Sequence, residues 1–351
     1  MEFTNEVLRK IEGKQKFNVE VSKYFYRLDC DYGLKGQHKY LRISNNVKNC
    51  LNYWLWDKYK YNKVLDLKKV SRCKNRFCSN CKKFDLSRAL NNLSPHFKKL
   101  LNEGYNPFLV TLTIPNCSGD DLFETLNKMQ VAFRKFYRFY SLDGKGGYDD
   151  RYFKFYACVR CLEVTYSKER DDFHPHYHLM VFIKGYKEFL FYKYIEGEWS
   201  NKRGSYNMYS DFDMQIRKIW TLCYKGKTVR DYDKLDDIYI GEIREMDEKG
   251  IYEVMKYAFK DTDIVNYKVF SYLYFALYGR RLRQGYGFLY NVRLENDSDG
   301  KKQGLDDYLL INKEELPSEV VTTQMKTLYN EYSNYIKISR FNKDKYINSI
   351  E

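Results

Sequence analysis

The chain has 351 residues, 44% of them hydrophobic, which is enough for one large domain or two modest ones with real cores. The longest apolar stretch, 269–278, is too short for a membrane span, and the first six residues do not resemble a secretory signal. We therefore predict a cytoplasmic protein with no membrane partner. A net charge of +14 together with 18% aromatic residues favours a nucleic acid as the partner.

The first chemically distinctive group is a cysteine cluster. Cys73, Cys78 and Cys81 are separated by four and by two residues, and either Cys50 or Cys30 could supply a fourth thiol. Cysteines in the cytoplasm stay reduced, and four thiolates make a tetrahedral zinc site that can hold a small lobe together. The cluster predicts a structural zinc completed by Cys50. The alternative is a set of reduced, partly buried thiols without a metal.

Hydrophobic periodicity and turn residues predict an α+β fold with an antiparallel central sheet flanked by helices. We expect an N-terminal cysteine-rich region over 1–101, a catalytic domain over 102–295 and a helical C-terminal tail over 296–351. The predicted helices cover 85–101, 121–140, 211–224, 250–260, 267–282 and 318–335. The predicted strands cover 107–114, 153–166 and 238–245, and a further strand contains the histidines and the apolar run that ends at 183. This histidine strand forms a hairpin with the strand over 153–166.

Three of the five histidines lie in one short stretch, at His174, His176 and His178, followed by five apolar residues. In a strand, alternate side chains share a face about 7 Å apart, so His176 and His178 can reach one divalent cation. Glu163, between apolar residues on the preceding strand, could complete a site for Mg²⁺ or Mn²⁺. Pro175 cannot donate a ladder hydrogen bond, which predicts that His174 precedes the strand proper. The alternative for Glu163 is an ordinary solvent-facing residue.

A second group lies on the predicted helix at 250–260. Residues four apart share a helix face, so Glu253 should lie beside Tyr257, with Lys256 and Lys260 flanking them. A phenol, a carboxylate and two cations suit phosphodiester chemistry, in which the phenol attacks and the cations stabilise developing charge. A solvated helix face can have the same composition. This group alone is therefore weak evidence for a catalytic site, and its interpretation depends on the other motifs in the chain.

In sequence order, the motifs at 108–116, 174–179 and 252–263 resemble those of the replication initiator (Rep) proteins of rolling-circle plasmids, within the HUH endonuclease superfamily. The segment 73–81 also resembles that family, although Ser79 stands where the family usually has proline. The similarity covers residues 50–290, roughly. Four motifs in the same order make it specific.

The resemblance implies a role for each matching residue. His176 and His178 would bind the metal with Glu163 as a third ligand. Tyr257 would be the nucleophile that forms a 5′-phosphotyrosyl bond, and Glu253 would activate water to end the cycle by hydrolysis. The predicted DNA contacts are Arg72, Lys74, Arg76, Thr111, Thr113 and Asn116.

The implied partners are origin DNA, single-stranded or in a hairpin, and a host polymerase. A host helicase is also expected, because the chain has no P-loop motif of its own. A homodimer is compatible with this assignment. Three alternatives remain: another HUH enzyme such as a relaxase or transposase, a non-catalytic origin-binding regulator with a structural metal, and an RNA-binding protein with a zinc lobe.

Overall fold

The computed structural model divides the chain into two compact units. The first unit comprises Met1–Phe84 with Asp297–Glu351, and the second comprises Asp85–Asn296. The structure describes residues 4–34, 36–60, 63–142, 154–184, 192–193, 199–200, 205–206, 209–235, 238–239, 241–246, 250–251, 254–255, 259–294 and 319–338.

Helices and strands alternate irregularly along the chain, as expected for an α+β protein. The helices are α1 (Asn5–Tyr32), α2 (Lys39–Lys48), α3 (Ser79–Asn102), α4 (Leu122–Tyr140), α5 (Asp211–Lys225), α6 (Tyr267–Leu277) and α7 (Met325–Asn330). The longer strands are β1 (Tyr53–Tyr59), β2 (Val64–Val70), β3 (Tyr105–Thr113), β4 (Ala157–Ser167) and β5 (Asp172–Lys184). The shorter strands are β6 (Tyr192–Lys193), β7 (Trp199–Ser200), β8 (Ser205–Tyr206), β9 (Tyr209–Ser210), β10 (Gly241–Glu245), β11 (Arg283–Gly287), β12 (Glu319–Gln324) and β13 (Ile336–Ile338).

The first unit contains a four-stranded sheet in the order β12-β1-β2-β13, with β13 parallel to β2 and the other pairs antiparallel. The C-terminal segment therefore completes this sheet. Within the described residues 319–338, the predicted helical tail contains the strands β12 and β13 beside the helix α7. Within the described residues of 318–335, only α7 is helical, because the four β-branched residues Val320 to Thr323 favour an extended strand.

The second unit is built on a five-stranded sheet in the order β10-β3-β5-β4-β11, in which every pair is antiparallel. Helix α3 covers one face, where Leu93 and Phe97 pack with Met180 and Phe182. Helix α4 lies against the other face, where the ring of Phe133 contacts that of Tyr177. The predicted α+β class, with an antiparallel sheet flanked by helices, is thus confirmed.

Two local expectations differ from the structure. Helix α3 runs from Ser79 to Asn102, so the division between the units, after Phe84, falls inside a helix and not after residue 101. His174 lies within β5 and not before it, with Pro175 opposite Val164 of β4. The pairing of β3 with β5 ends at His176, so Pro175 occupies a stretch where a missing N–H is tolerated.

Within the ranges that the structure describes, every helix is too short or too polar to cross a bilayer.

The pairing of β12 with β1 gives a stability test. The indole N–H of Trp56 donates to the hydroxyl of Thr323 at 3.0 Å, and both residues are buried. We expect Thr323→Val to lower the free energy of unfolding by about 1–3 kcal/mol, because it leaves a buried donor without an acceptor. Chemical denaturation followed by circular dichroism measures this change.

The matched control is Thr322→Val, since Thr322 is the exposed neighbour on the same strand. Its free energy of unfolding should stay within about 0.5 kcal/mol of the unmodified protein. Equal losses in both variants would mean that the buried hydrogen bond does not hold the C-terminal strand.

Candidate metal centre

The hairpin of β4 and β5 brings three potential metal ligands together in the second unit. Glu163 lies directly opposite His176, and His178 follows on the same strand face. One carboxylate oxygen of Glu163 lies 3.1 Å from His176 Nε2 and 2.9 Å from His178 Nε2, and the two Nε2 atoms are 3.1 Å apart. These three residues could hold one metal ion.

The outer nitrogens of both imidazoles have polar partners. His176 Nδ1 lies 3.2 Å from the backbone carbonyl oxygen of His174, which can only accept, so Nδ1 carries the proton. His178 Nδ1 lies 3.2 Å from the hydroxyl oxygen of Thr111, which can accept a hydrogen bond from that ring. With a metal ion bound, both Nε2 lone pairs would then face that ion, which is the arrangement that metal-bound histidines adopt.

The electrostatics of this cluster favour a cation at its centre. Burial opposes ionisation of Glu163, but hydrogen bonds with His176 and His178 outweigh it and hold the pKa of Glu163 well below its usual range. Burial also lowers the pKa of His174, whose ring lies 5.1 Å from that of His176. A buried carboxylate is costly without a compensating positive charge, and a divalent ion between the three groups would supply that charge. The donor set therefore fits a divalent cation.

Of the three polar residues predicted on and after β3, Thr111 and Thr113 are in register with His178 and His176, whereas Asn116 follows the strand. Thr111 contacts His178, while the backbone oxygen of Thr113 accepts a hydrogen bond from the Trp220 indole at 2.6 Å. The side-chain amide of Asn116 donates to the Asp172 carboxylate at 2.8 Å. Their assignment as DNA contacts stays a prediction. The contact of Thr111 with a metal ligand was not foreseen, because it depends on the register of β3 against β5.

The predicted nucleophile segment is described only in part. Tyr257, Glu253 and Lys256 lie outside the described residues. Lys260 is exposed, and its backbone N–H donates to the Asp263 carboxylate at 2.6 Å, at the start of a 3-10 turn over Asp261–Asp263.

The described neighbours of that segment pack on the sheet face that carries the metal ligands. The sulfur of Met255 lies 3.9 Å from that of Cys161, which precedes Glu163 by two residues on β4. Arg283, in register with Cys161 on β11, donates from Nε to the backbone oxygen of Met255 at 3.2 Å. Sequence reasoning missed Arg283, since nothing in its local pattern marks it as a buried residue.

The cysteine cluster forms in the first unit. The sulfur atoms of Cys50, Cys73, Cys78 and Cys81 all lie within 4.8 Å of one another, so the group could hold a metal ion. Hydrogen bonds from the other three thiols hold the pKa of Cys81 well below its usual range. Cys30 is exposed. Between the two candidates for the fourth position, the structure places Cys50 in the cluster.

The basic residues predicted to contact DNA surround these cysteines. The Arg72 guanidinium lies 4.4 Å from the centre of the Phe84 ring. Lys74 and Arg76 are partly exposed, and Lys74 has a left-handed backbone with φ of 55°. Their role in DNA binding stays a prediction.

The contact between Thr111 and His178 predicts a measurable effect on metal binding. Thr111→Val keeps the shape of the side chain but removes the hydroxyl, so the affinity for Mn²⁺ should fall about 10-fold to 100-fold. Mn²⁺ titration by calorimetry measures this change, because a hard ion favours the nitrogen and oxygen ligands over the thiolates. Thr111→Ser retains the hydroxyl and should bind near normally. Equal affinities in the two variants would contradict the assigned contact.

Comparison with known proteins agrees with these features. The profile of the Rep_1 family, described as "Replication protein", matches residues 64–337. A "Protein rep" from Bacillus sp is 26% identical over 278 residues, covering 74% of this chain and 82% of the relative. A "Protein rep" from Bacillus amyloliquefaciens is 26% identical over 303 residues, covering 81% of each chain. A third, from Staphylococcus aureus, is 27% identical over 200 residues, covering 56% of this chain and 73% of the relative. No solved structure matches the chain.

The matched range contains Glu163, His176 and His178, together with three of the four clustered cysteines. It also spans most of the chain and both compact units. The chain therefore belongs to the Rep_1 family of replication proteins, which confirms its resemblance to the replication initiators of rolling-circle plasmids.

Proposed function

We propose that this protein starts rolling-circle replication by cutting one strand of a plasmid origin and later rejoining it. The observation that carries the proposal is the convergence of Glu163, His176 and His178 on one sheet face, within 3.1 Å of one another. Met255, two residues before Tyr257, packs on that same face. A phosphodiester bound there would lie near Met255, two residues before the predicted nucleophile in the sequence.

The chemistry is a transesterification. The Tyr257 phenol oxygen attacks the scissile phosphorus, the bond from phosphorus to the 3′ oxygen breaks, and that oxygen leaves with a proton as a free 3′-OH. The 5′ phosphate remains joined to Tyr257. A divalent cation bound by the three ligands, Mg²⁺ or Mn²⁺, supplies polarisation of the phosphate. Lys256 and Lys260 add positive charge near the developing oxyanion.

The last step of the replication cycle uses a different nucleophile from the first step. Glu253 can accept a proton from water, so that water and not a second tyrosine attacks the final phosphotyrosyl bond. In the rejoining step, a 3′-OH attacks the phosphotyrosyl phosphorus, a new phosphodiester forms and the Tyr257 phenol leaves with a proton, so rejoining needs no ATP. A host polymerase would extend the 3′-OH, and a host helicase would supply the unwinding.

For the cysteine cluster we propose a structural zinc. Four thiolates saturate a tetrahedral ion and leave no position for substrate, as in structural zinc sites. The convergence of four sulfurs in the first unit supports this assignment. Such an ion would hold together the loop that carries Lys74 and Arg76.

Metal analysis tests the zinc assignment. We expect about one equivalent of zinc in the purified protein, and a strong loss in Cys81→Ser, because that variant removes the thiol that the other three sulfurs face. Cys30→Ser is the matched control, because Cys30 is exposed and lies outside the cluster. Zinc retained in Cys81→Ser, or lost in Cys30→Ser, would contradict the ligand set.

Covalent capture tests the nicking mechanism. Protein, Mn²⁺ and labelled single strands from a cognate replicon should give a protein–DNA band that survives denaturation. Tyr257→Phe should abolish the band, and Glu163→Gln should weaken it at least about tenfold through loss of a metal ligand. Tyr290→Phe is the matched control, since Tyr290 is exposed in the same unit.

The other outcomes are equally informative. A band that persists in Tyr257→Phe would move the nucleophile, with Tyr252 the next candidate. Tight DNA binding and metal binding without a band on any strand would replace the enzyme by a non-catalytic origin-binding regulator.

A further inference from the structure

A column of three stacked aromatic rings lies on the second unit, away from the candidate metal centre. The rings of Tyr105 and Tyr156 are 4.3 Å apart between centroids, with 14° between their planes. The rings of Tyr156 and Phe288 are 5.6 Å apart at 21°. All three side chains are partly exposed. Stacked rings that remain open to solvent can continue their stack with a further flat ring.

The backbone holds this column in place. The N–H of Tyr156 donates to the carbonyl oxygen of Phe182 at 3.0 Å, and the N–H of Phe288 donates to the carbonyl oxygen of Tyr156 at 3.2 Å. Tyr105 is paired with Lys184 at the end of β5. The backbone beneath each ring is therefore held in place before any ligand binds, which lowers the entropic cost of binding.

A lysine ammonium lies over each terminal ring of the column. Lys184 Nζ is 5.6 Å from the centre of the Tyr105 ring, and Lys99 Nζ is 5.1 Å from the centre of the Phe288 ring. Lys99 also forms an exposed ion pair with Glu103 at 3.9 Å, which is weak in water. Flexible ammonium groups can leave a ring face and bind a phosphate.

The three rings also pack against the hydrophobic core of the second unit, so the column is anchored while each ring stays partly open to solvent. Exposed aromatic rings flanked by lysines are the usual surface for unpaired bases and their phosphates.

We propose that Tyr105, Tyr156 and Phe288 form a stacking site for the unpaired bases of a single strand. A base extends the stack on a terminal ring, and Lys184 or Lys99 moves to the adjacent phosphate. The site lies at the far end of β5, where Lys184 is eight residues from His176, or about 26 Å along the strand. It would hold the strand at a distance from the cut. This inference rests on the proposed function, but its test measures binding and does not require nicking activity.

The test is binding of a fluorescent oligo-dT strand, measured by anisotropy in the full-length Tyr257→Phe protein, which cannot nick if the proposed mechanism holds. Adding Tyr105→Leu should weaken binding roughly 5-fold to 150-fold, the usual effect of losing one stacking ring. Adding Tyr105→Phe keeps the ring and should leave the affinity unchanged. Phe288→Leu at the other end of the column is a second variant, in case Tyr105→Leu fails to fold.

Three comparisons separate stacking from other effects. Tyr290→Leu, an exposed tyrosine outside the column, should bind normally. Tyr105→Leu should weaken the binding of oligo-rU as much as that of oligo-dT, because stacking does not read the sugar. The same variant should leave the binding of duplex DNA unchanged. Lys184→Gln should lower the dependence of log affinity on log salt by about 0.7, one phosphate contact on a single strand.

Equal binding by the Leu and Phe variants at position 105, or an equal loss on duplex DNA, would overturn the stacking site. A failure of covalent capture would overturn the nicking mechanism but leave these binding results unchanged. The two proposals can therefore fail separately.

Discussion

The register between β4 and β5 is the constraint on which the candidate metal centre depends. Glu163 faces His176 across the hairpin, and His178 joins them only because side chains alternate strictly along a strand. A slip of one residue would turn one set of ligands to the opposite face. The pairing of β3 on the other side of β5 then adds Thr111 beside His178. Three strands thus fix one small site.

The opposite face of the same hairpin explains how that register is held. Tyr177, between the two histidines, points away from the cluster and is 2% exposed. Its ring lies 5.3 Å from that of Phe133 on α4 and 4.9 Å from the Arg160 guanidinium. Arg160 is itself buried. A tyrosine suits this position because its ring can pack against α4 and also face a buried cation. Packing on one face therefore stabilises the ligand geometry on the other.

The sequence predicted the features that depend on local periodicity and order. The antiparallel hairpin and the sharing of one face by His176 and His178 follow from alternation along a strand. Features that depend on distant pairing were missed. The strand β12 was predicted as helix because its partner β1 lies more than 250 residues earlier in the chain. The choice of Cys50 over Cys30 likewise required the tertiary structure, and the geometry around Tyr257 stays a prediction.

The two clusters differ in a way that bears on their roles. Four sulfurs complete a tetrahedral shell, so an ion held by the cysteines has no open position and can only stabilise structure. Two imidazoles and one carboxylate leave positions open on a divalent ion, and those positions can accept phosphate oxygens. Softer thiolates also select a different metal from the mixed nitrogen and oxygen set. The proposed division between a structural and a catalytic ion therefore rests on the donor atoms of each cluster, and not on its position in the fold.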